Sequence, residues 1–446
     1  ISITPILFTV TAIILLLCVI FYHRNKEFIL SLSVKEITSP AVLLLVLLPF
    51  ISIFGAYFLK YYDTNTILLA LFAIISIFPL IVSMDKFPVN TRALPFLVWI
   101  ISISLVLSHS LAFKYLSWTL SDATVEYYYA NLVYQNGVWN LKIFGNHNAM
   151  LRIVMLHPIH AILLNMNLTN VFMVIHPLLY SLTPVALYIL FERQTNEKIA
   201  FSSCFFFMSL HTFFLILSRM SRVGIAELFL VLFTLSITDR NVSGIKKSLL
   251  SVIFALSLVV SHYGTSYLLM FALITSFLIL ILFRKYFDLS KERVSITLTF
   301  NALYTVSLLA WYMYTSASST FETLVKFLNH MISEMSAMFS PETSYSVYAL
   351  IKDWPFSVEI SRDLIIVAYI FIMIGVANLI WNIFRKKEIE VHAEITVLSI
   401  AFLGIIIATF LPTKWFNPDR ILHLSLIFLG SFLGTGFLKI FKGKAY

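Results

Sequence analysis

The sequence predicts an all-α polytopic membrane protein, and three observations carry that prediction. Of 446 residues, 60% are hydrophobic and only 12% are charged, and the mean hydropathy is +0.92; a water-soluble domain of this size would expose far more apolar surface than solvent accepts. The apolar residues run in long uninterrupted stretches, unlike the short alternating segments of a β-barrel, so helices must satisfy the backbone in lipid. Forty-one Phe against twelve Gly and thirteen Pro fit the same reading.

Taken in order, the runs long enough to span are residues 3–22, 40–59, 66–83, 94–113, 171–190, 199–217, 223–237, 249–261, 265–283, 294–314, 364–384, 395–411 and 421–438, about thirteen in all. The first is followed by HRNK, the flank of a retained helix and not of a cleaved signal. Residues 249–261 are short for a span. Residues 151–165, LRIVMLHPIHAILLN, carry a central Pro and two His, which suits a re-entrant or interfacial piece. With the N-terminus outside and the C-terminus in the cytoplasm, most of the 31 Lys and Arg fall in inner loops, as the positive-inside rule requires. The net charge of +9 is therefore explained by topology, and no nucleic-acid site is indicated. Cys18 and Cys204 both lie inside apolar runs, so no disulfide framework is expected.

Two outer loops are long. The first, residues 114–170, holds the most polar passage of the chain, SDATVEYYYANLVYQNGVW. Asp122 and Glu126 are four apart, which on a helix sets them on one face within about 6 Å at Cβ. Ser121 or Asp122 can cap the N-terminus, and Asn136-Gly137 supplies a left-handed terminator. Val125, Tyr128, Tyr129 and Leu132 are expected to form an apolar stripe, so that this helix lies parallel to the membrane. The second loop, residues 316–361, spaces Phe321, Leu324, Leu328, Met331, Ile332 and Met335 as an amphipathic helix does, and such a helix can serve as a lid or pack on the outer rim.

Ionisable groups near spans cost roughly 2.5–3.5 kcal/mol at a helix centre, so each asks for a partner or a purpose. LSRMSRVGIAELF places Arg219 and Arg222 at a helix mouth with Glu227 about one turn further in, an Arg222–Glu227 pair being the structural alternative. SLVVSHYGTSY puts His262 and Tyr263 at a tight outer hairpin, and LPTKWFNPDRILHLSL gathers Lys414, Asp419, Arg420 and His423 where the last span begins. Outward carboxylates opposite several cations suit a lipid-linked sugar phosphate. The tail stays in the bilayer, cations hold the phosphate as its charge develops, and a carboxylate takes the proton of an attacking hydroxyl. No P-loop, GxGxxG or nucleotide-sugar motif is visible.

The run SDATVEYYYANLVYQNGVWN, with NHNAML, RVGIAELF, VVSHYGTSY and FNPDRILHLSL in this order, resembles an uncharacterised archaeal multi-pass membrane family. Its layout is similar to that of the GT-C superfamily of polyprenyl-phosphate-sugar-dependent glycosyltransferases. The resemblance implies transfer of a sugar from a polyprenyl or dolichyl phosphate to a glycan, protein or lipid acceptor on the extracytoplasmic face of the cell membrane. It makes Asp122 the catalytic candidate with Glu126 as its neighbour and gives the lipid-phosphate role to Arg222 or Arg420; from the charge clusters themselves, Arg219, Glu227, His262, Tyr263, Lys414 and Asp419 complete the expected substrate-binding set. No cofactor is required by it, although some superfamily members hold a divalent metal such as Mg or Mn on the acid, which Asp122 would then ligate. Two departures stand out: superfamily acids are often one residue apart, and their loop normally follows the first span. This suggests an added N-terminal unit over residues 1–93, a catalytic module over 94–315, and an outer loop with three further spans over 316–446. The alternatives from other classes are a lipid or small-solute transporter or flippase, and a non-catalytic scaffold.

Overall fold

The computed structural model describes residues 40–84, 94–114, 121–240, 242, 244–287, 294–337, 340, 342, 344–385, 391–411 and 417–441. The expected first span, Cys18 and Lys414 lie outside the described residues. Within them the chain is helical throughout, without a β-strand. Seven helices are long and apolar enough to cross a membrane, as expected of a multi-pass membrane protein. In chain order the elements are α1 (Pro40–Tyr62), α2 (Thr66–Ser83), α3 (Leu94–Ser110), α4 (Asp122–Asn136), α5 (Arg152–Leu163), α6 (Leu168–Glu192), α7 (Glu197–Ser209), α8 (Ser221–Thr238) and α9 (Gly244–Ser261). They continue with α10 (Tyr263–Leu282), α11 (Leu298–Tyr314), α12 (Ser319–Ser333), α13 (Tyr345–Ile351), α14 (Phe356–Phe384), α15 (Ala393–Ala408) and α16 (Pro418–Phe441).

At the two weakest apolar runs, local geometry explains the outcome. The short run at residues 249–261 belongs to α9, whose 18 residues reach back to Gly244 past two lysines. Residues 151–165 form α5, opened by a wide-wound turn over Arg152–Leu156 before Pro158 continues it. At about 18 Å this helix is too short to cross the hydrocarbon.

Two cores hold the molecule together. The larger joins the long helices, with Phe191, Phe201, Phe207, Phe213 and Phe402 fully buried in it. Its tightest crossing is α14 on α16. A Cβ added to Gly375 would overlap the Phe432 carbonyl oxygen, and one added to Gly436 the Phe371 carbonyl oxygen, so the two glycines let backbones meet where lipid supplies no hydrophobic drive. The smaller core lies within the segment from α4 to the start of α6, where Ala123, Tyr127, Ala130 and Val133 of α4 pack with Met150, Ile153, Val154 and Phe172. Tyr127 stacks obliquely on Phe172 and shares a hydrogen bond with Thr169, so truncating it to alanine should cost about 3 kcal/mol or more.

The boundaries of α4 follow from local chemistry. The Ser121 side chain accepts from the Thr124 amide while the Thr124 hydroxyl accepts from the Ser121 amide, and Gly137 closes the helix at φ 67°. The buried face differs from the expected stripe. Small residues Ala123 and Ala130 let the helix sit close on its neighbours, which puts Glu126 inside and leaves Tyr128 60% exposed.

Candidate functional site

The site forms where the first turns of α4, α8 and α16 converge. Each of those turns is fixed by sequence chemistry. Ser121 starts α4, and Asn417, accepting from the Asp419 amide at 2.9 Å ahead of Pro418, starts α16. The start of α8 has no cap of its own, and a side chain from α4 supplies one. Glu126 accepts from the Ser221 amide at 2.8 Å and from the Ser221 hydroxyl at 2.6 Å with one oxygen, and from Arg222 at 3.1 Å with the other. A carboxylate at a helix N-terminus answers both the orphan amide and the dipole.

Arg222 is thereby anchored, with its side chain only 5% exposed. Its Nη1 also donates to His147 Nε2, and its Nη2 donates to Asp122 Oδ2 at 2.9 Å. Arg420 reaches the same Asp122 oxygen through Nη1 at 3.4 Å. Asp122 itself is 44% exposed and Arg420 35%, so the site is closed below by Glu126 and open above at Asp122. Behind Glu126 lies Arg152, fully buried and within its electrostatic reach.

The charges respond accordingly. Burial raises the Asp122 carboxyl, but Arg222 and then Arg420 outweigh it and hold the group below the usual carboxylate range. Burial pushes Glu126 above that range against the pull of Arg222 and the Ser221 hydrogen bonds. His147 is lowered to about 3, first by burial and then by Arg222, so at neutral pH it is an uncharged acceptor for the guanidinium. Its seat depends on Gly145, whose φ of 137° suits glycine alone and whose Cβ would overlap the Tyr129 hydroxyl. Tyr129 in turn stacks parallel to His147.

An apolar chamber of about 430 Å³ is walled by α10, α12, α15 and the start of α16, and is linked to this cluster through chain neighbours of its lining. Its lining includes Tyr263, next to His262, and Ile421, next to Arg420. It also includes Thr323, which hydrogen-bonds Asn146 at 3.2 Å beside His147. The amphipathic α12 turns Leu324, Leu328 and Met331 to the chamber, while Ile332 and Met335 of the expected stripe stay exposed.

Several sequence-derived positions fall elsewhere. Glu227 does not pair with Arg222; it accepts from Tyr180 at 3.1 Å and meets His423 at 3.0 Å in the bundle interior. Arg222 and Glu227 are five apart, about 140° around the helix, so they face different neighbours. His423 lies buried with Glu227 and apart from Arg420. Arg219 lies over the Phe113 ring and bonds the Leu215 carbonyl, and Asp419 meets His211 at 3.7 Å. His262 caps α10 through Thr265 and lies within the electrostatic field of Arg222, Arg420 and His147. His147, Ser221 and Arg152 were not singled out by sequence. Their signals were a polar tight loop, NHNAM, a serine directly before the helix arginine, and an arginine inside an apolar run.

A divalent metal on Asp122 does not fit this donor set. Two guanidiniums share one oxygen of that carboxylate, and among the described residues no group of three His, Cys, Asp or Glu is placed to hold a metal ion.

Residues 247–443 match the model of a family described as "Predicted membrane protein (DUF2206)". No curated protein matches the chain. The matched stretch holds α10, α12, α15 and α16, and so the chamber and Arg420; Asp122, Glu126, His147 and Arg222 precede it.

Proposed function

We propose that the chain is a membrane glycosyltransferase of GT-C type that moves a sugar from a polyprenyl or dolichyl phosphate to an extracytoplasmic acceptor. The observation that carries this reading is the juxtaposition of an open carboxylate, two arginines and an apolar chamber. Asp122 touches both Arg222 and Arg420, and the chamber lining reaches the residue next to Arg420. A phosphate with a hydrocarbon tail matches that pairing of charge and apolar wall, and the volume lies within the range of about 300–1,000 Å³ usual for ligand pockets.

In this reading the chain crosses the bilayer about thirteen times, with the N-terminus outside, and α4 lies along the outer surface. Arg222 and Arg420 bind the phosphate. The acceptor hydroxyl attacks the sugar C1, the C1–O bond to phosphate breaks with its electron pair going to the phosphate, and the hydroxyl proton passes to Asp122. Glu126, with both oxygens engaged, positions Arg222 and the start of α8. His147 steadies Arg222 from the other side, and Tyr263 bounds the tail.

The reading is tested by presenting the purified chain in nanodiscs with polyprenyl phosphates carrying different sugars, together with a membrane extract as the source of acceptor hydroxyls, and following release of polyprenyl phosphate. At least one donor should be consumed, and Asp122→Asn should abolish consumption while the protein still inserts and melts cooperatively. Consumption of no donor, or an undiminished rate in Asp122→Asn, contradicts it.

A further inference from the structure

We infer that Asp122 and the ligand's phosphate are alternative occupants of one seat: in the resting chain the carboxylate holds Arg222 and Arg420, and an arriving phosphate takes those guanidiniums and releases it. This deepens, and rests on, the reading of the cluster as a lipid-phosphate site.

The geometry separates a fixed part from an exchangeable part. Arg222 keeps its place without Asp122, because Glu126 and His147 hold Nη1 while only Nη2 turns to Asp122. Asp122 stands at the first position of α4 with nearly half its side chain exposed, so a change of rotamer frees it without disturbing the packed face of the helix. Its grip is also incomplete. Both arginines lean on the single oxygen Oδ2, and the Nε atoms of Arg222 and of Arg420 are buried without a hydrogen-bond partner among the described residues. A tetrahedral phosphate offers more acceptor oxygens than one carboxylate oxygen and so satisfies donors that Asp122 leaves unmet.

The charge count points the same way. Arg152 and Arg222 stand against the buried Glu126, and Asp122 is the acid that both Arg222 Nη2 and Arg420 Nη1 face, so a phosphate arriving at those donors sets a second negative charge beside Asp122 and repels the more exposed of the two carboxylates. A carboxylate gripped by two guanidiniums is a poor base, and one that has lost them is a better one. Exchange would therefore arm Asp122 only when donor is bound. After the C1–O bond breaks, Asp122 gives the proton it took to solvent through its exposed side, and the restored carboxylate re-pairs with the arginines and displaces the phosphate product.

The test uses the full chain in detergent or nanodiscs and farnesyl phosphate as probe, titrated by native mass spectrometry against wild type, D122N, D122A and D122N/R420Q. Removing the competing charge should tighten binding about five- to tenfold in both single variants, as expected for a part-exposed double ion pair. The double variant should lose that gain. Equal or weaker binding by D122N and D122A overturns the exchange. If the wild type consumes a polyprenyl-linked sugar while neither single variant binds more tightly, the exchange is overturned and the transferase reading stands. If both bind more tightly in a chain that consumes no donor, the exchange is supported and the transferase reading fails.

Discussion

Two charged clusters sit on the same helix and behave as opposites. In the first turn of α8, Arg222 joins Asp122 and Arg420, which are 44% and 35% exposed, beside an apolar chamber. Little more than a turn deeper, Glu227 is 1% exposed and joined to His423 and Tyr180, with aromatic rings around it. The first cluster has an open side through which a ligand can exchange partners. The second has none, so its groups can only hold the bundle together. Charge in a membrane helix is thus no guide to function by itself; access to the charge decides.

That contrast predicts which observable each substitution moves. Glu227→Ala strands Tyr180 and His423 in the interior and should lower stability by about 3 kcal/mol in a thermal melt, leaving farnesyl phosphate affinity unchanged; a loss of affinity without loss of stability would erase the distinction. Gly145→Ala drives a Cβ into Tyr129 and shifts His147 off Arg222. It should cost about 1–3 kcal/mol and also weaken phosphate binding, whereas an effect on the melt alone would detach His147 from the site. Asp122→Asn should change stability by about 1 kcal/mol or less, since the pair is part-exposed, yet abolish transfer.

Acid titration gives the smallest and most specific effect. The pKa of His147 is depressed from 6.5 to about 3 in the folded chain, so the stability it contributes is complete above pH 6.5 and is lost as pH falls from there toward 3. His147→Gln, which keeps an acceptor but cannot be protonated, should flatten that segment of the stability–pH curve. An unchanged curve would show that His147 does not hold Arg222 as a neutral acceptor. The depressed Asp122 contributes stability at neutral pH that is lost only below the ordinary carboxylate range, so the two groups separate by window.

Much of this architecture was legible because its signals are local. The limits of α4 were readable in Ser121 and Gly137, since caps act within a few residues, and the apolar runs were readable because lipid leaves the backbone no other solution. The encounter of Asp122 with Arg222 and Arg420 was legible in coarser form, as acids and cations expected near the ends of apolar runs. What failed needed rotation about a helix axis or the path of a loop. Arg222 and Glu227 looked like neighbours in sequence and are turned apart on α8. His147 reaches the site only because Gly145 bends the chain under Tyr129. The buried face of α4 was misread because large residues were expected inward, whereas Ala123 and Ala130 make the close contact.

The most direct measurement is a map of the chain bound to farnesyl phosphate. It should place the phosphate between Arg222 and Arg420 with the isoprenoid in the chamber walled by Tyr263, Leu324 and Ile421. A phosphate held elsewhere, with Asp122 and both arginines still paired and the chamber empty, would contradict the account.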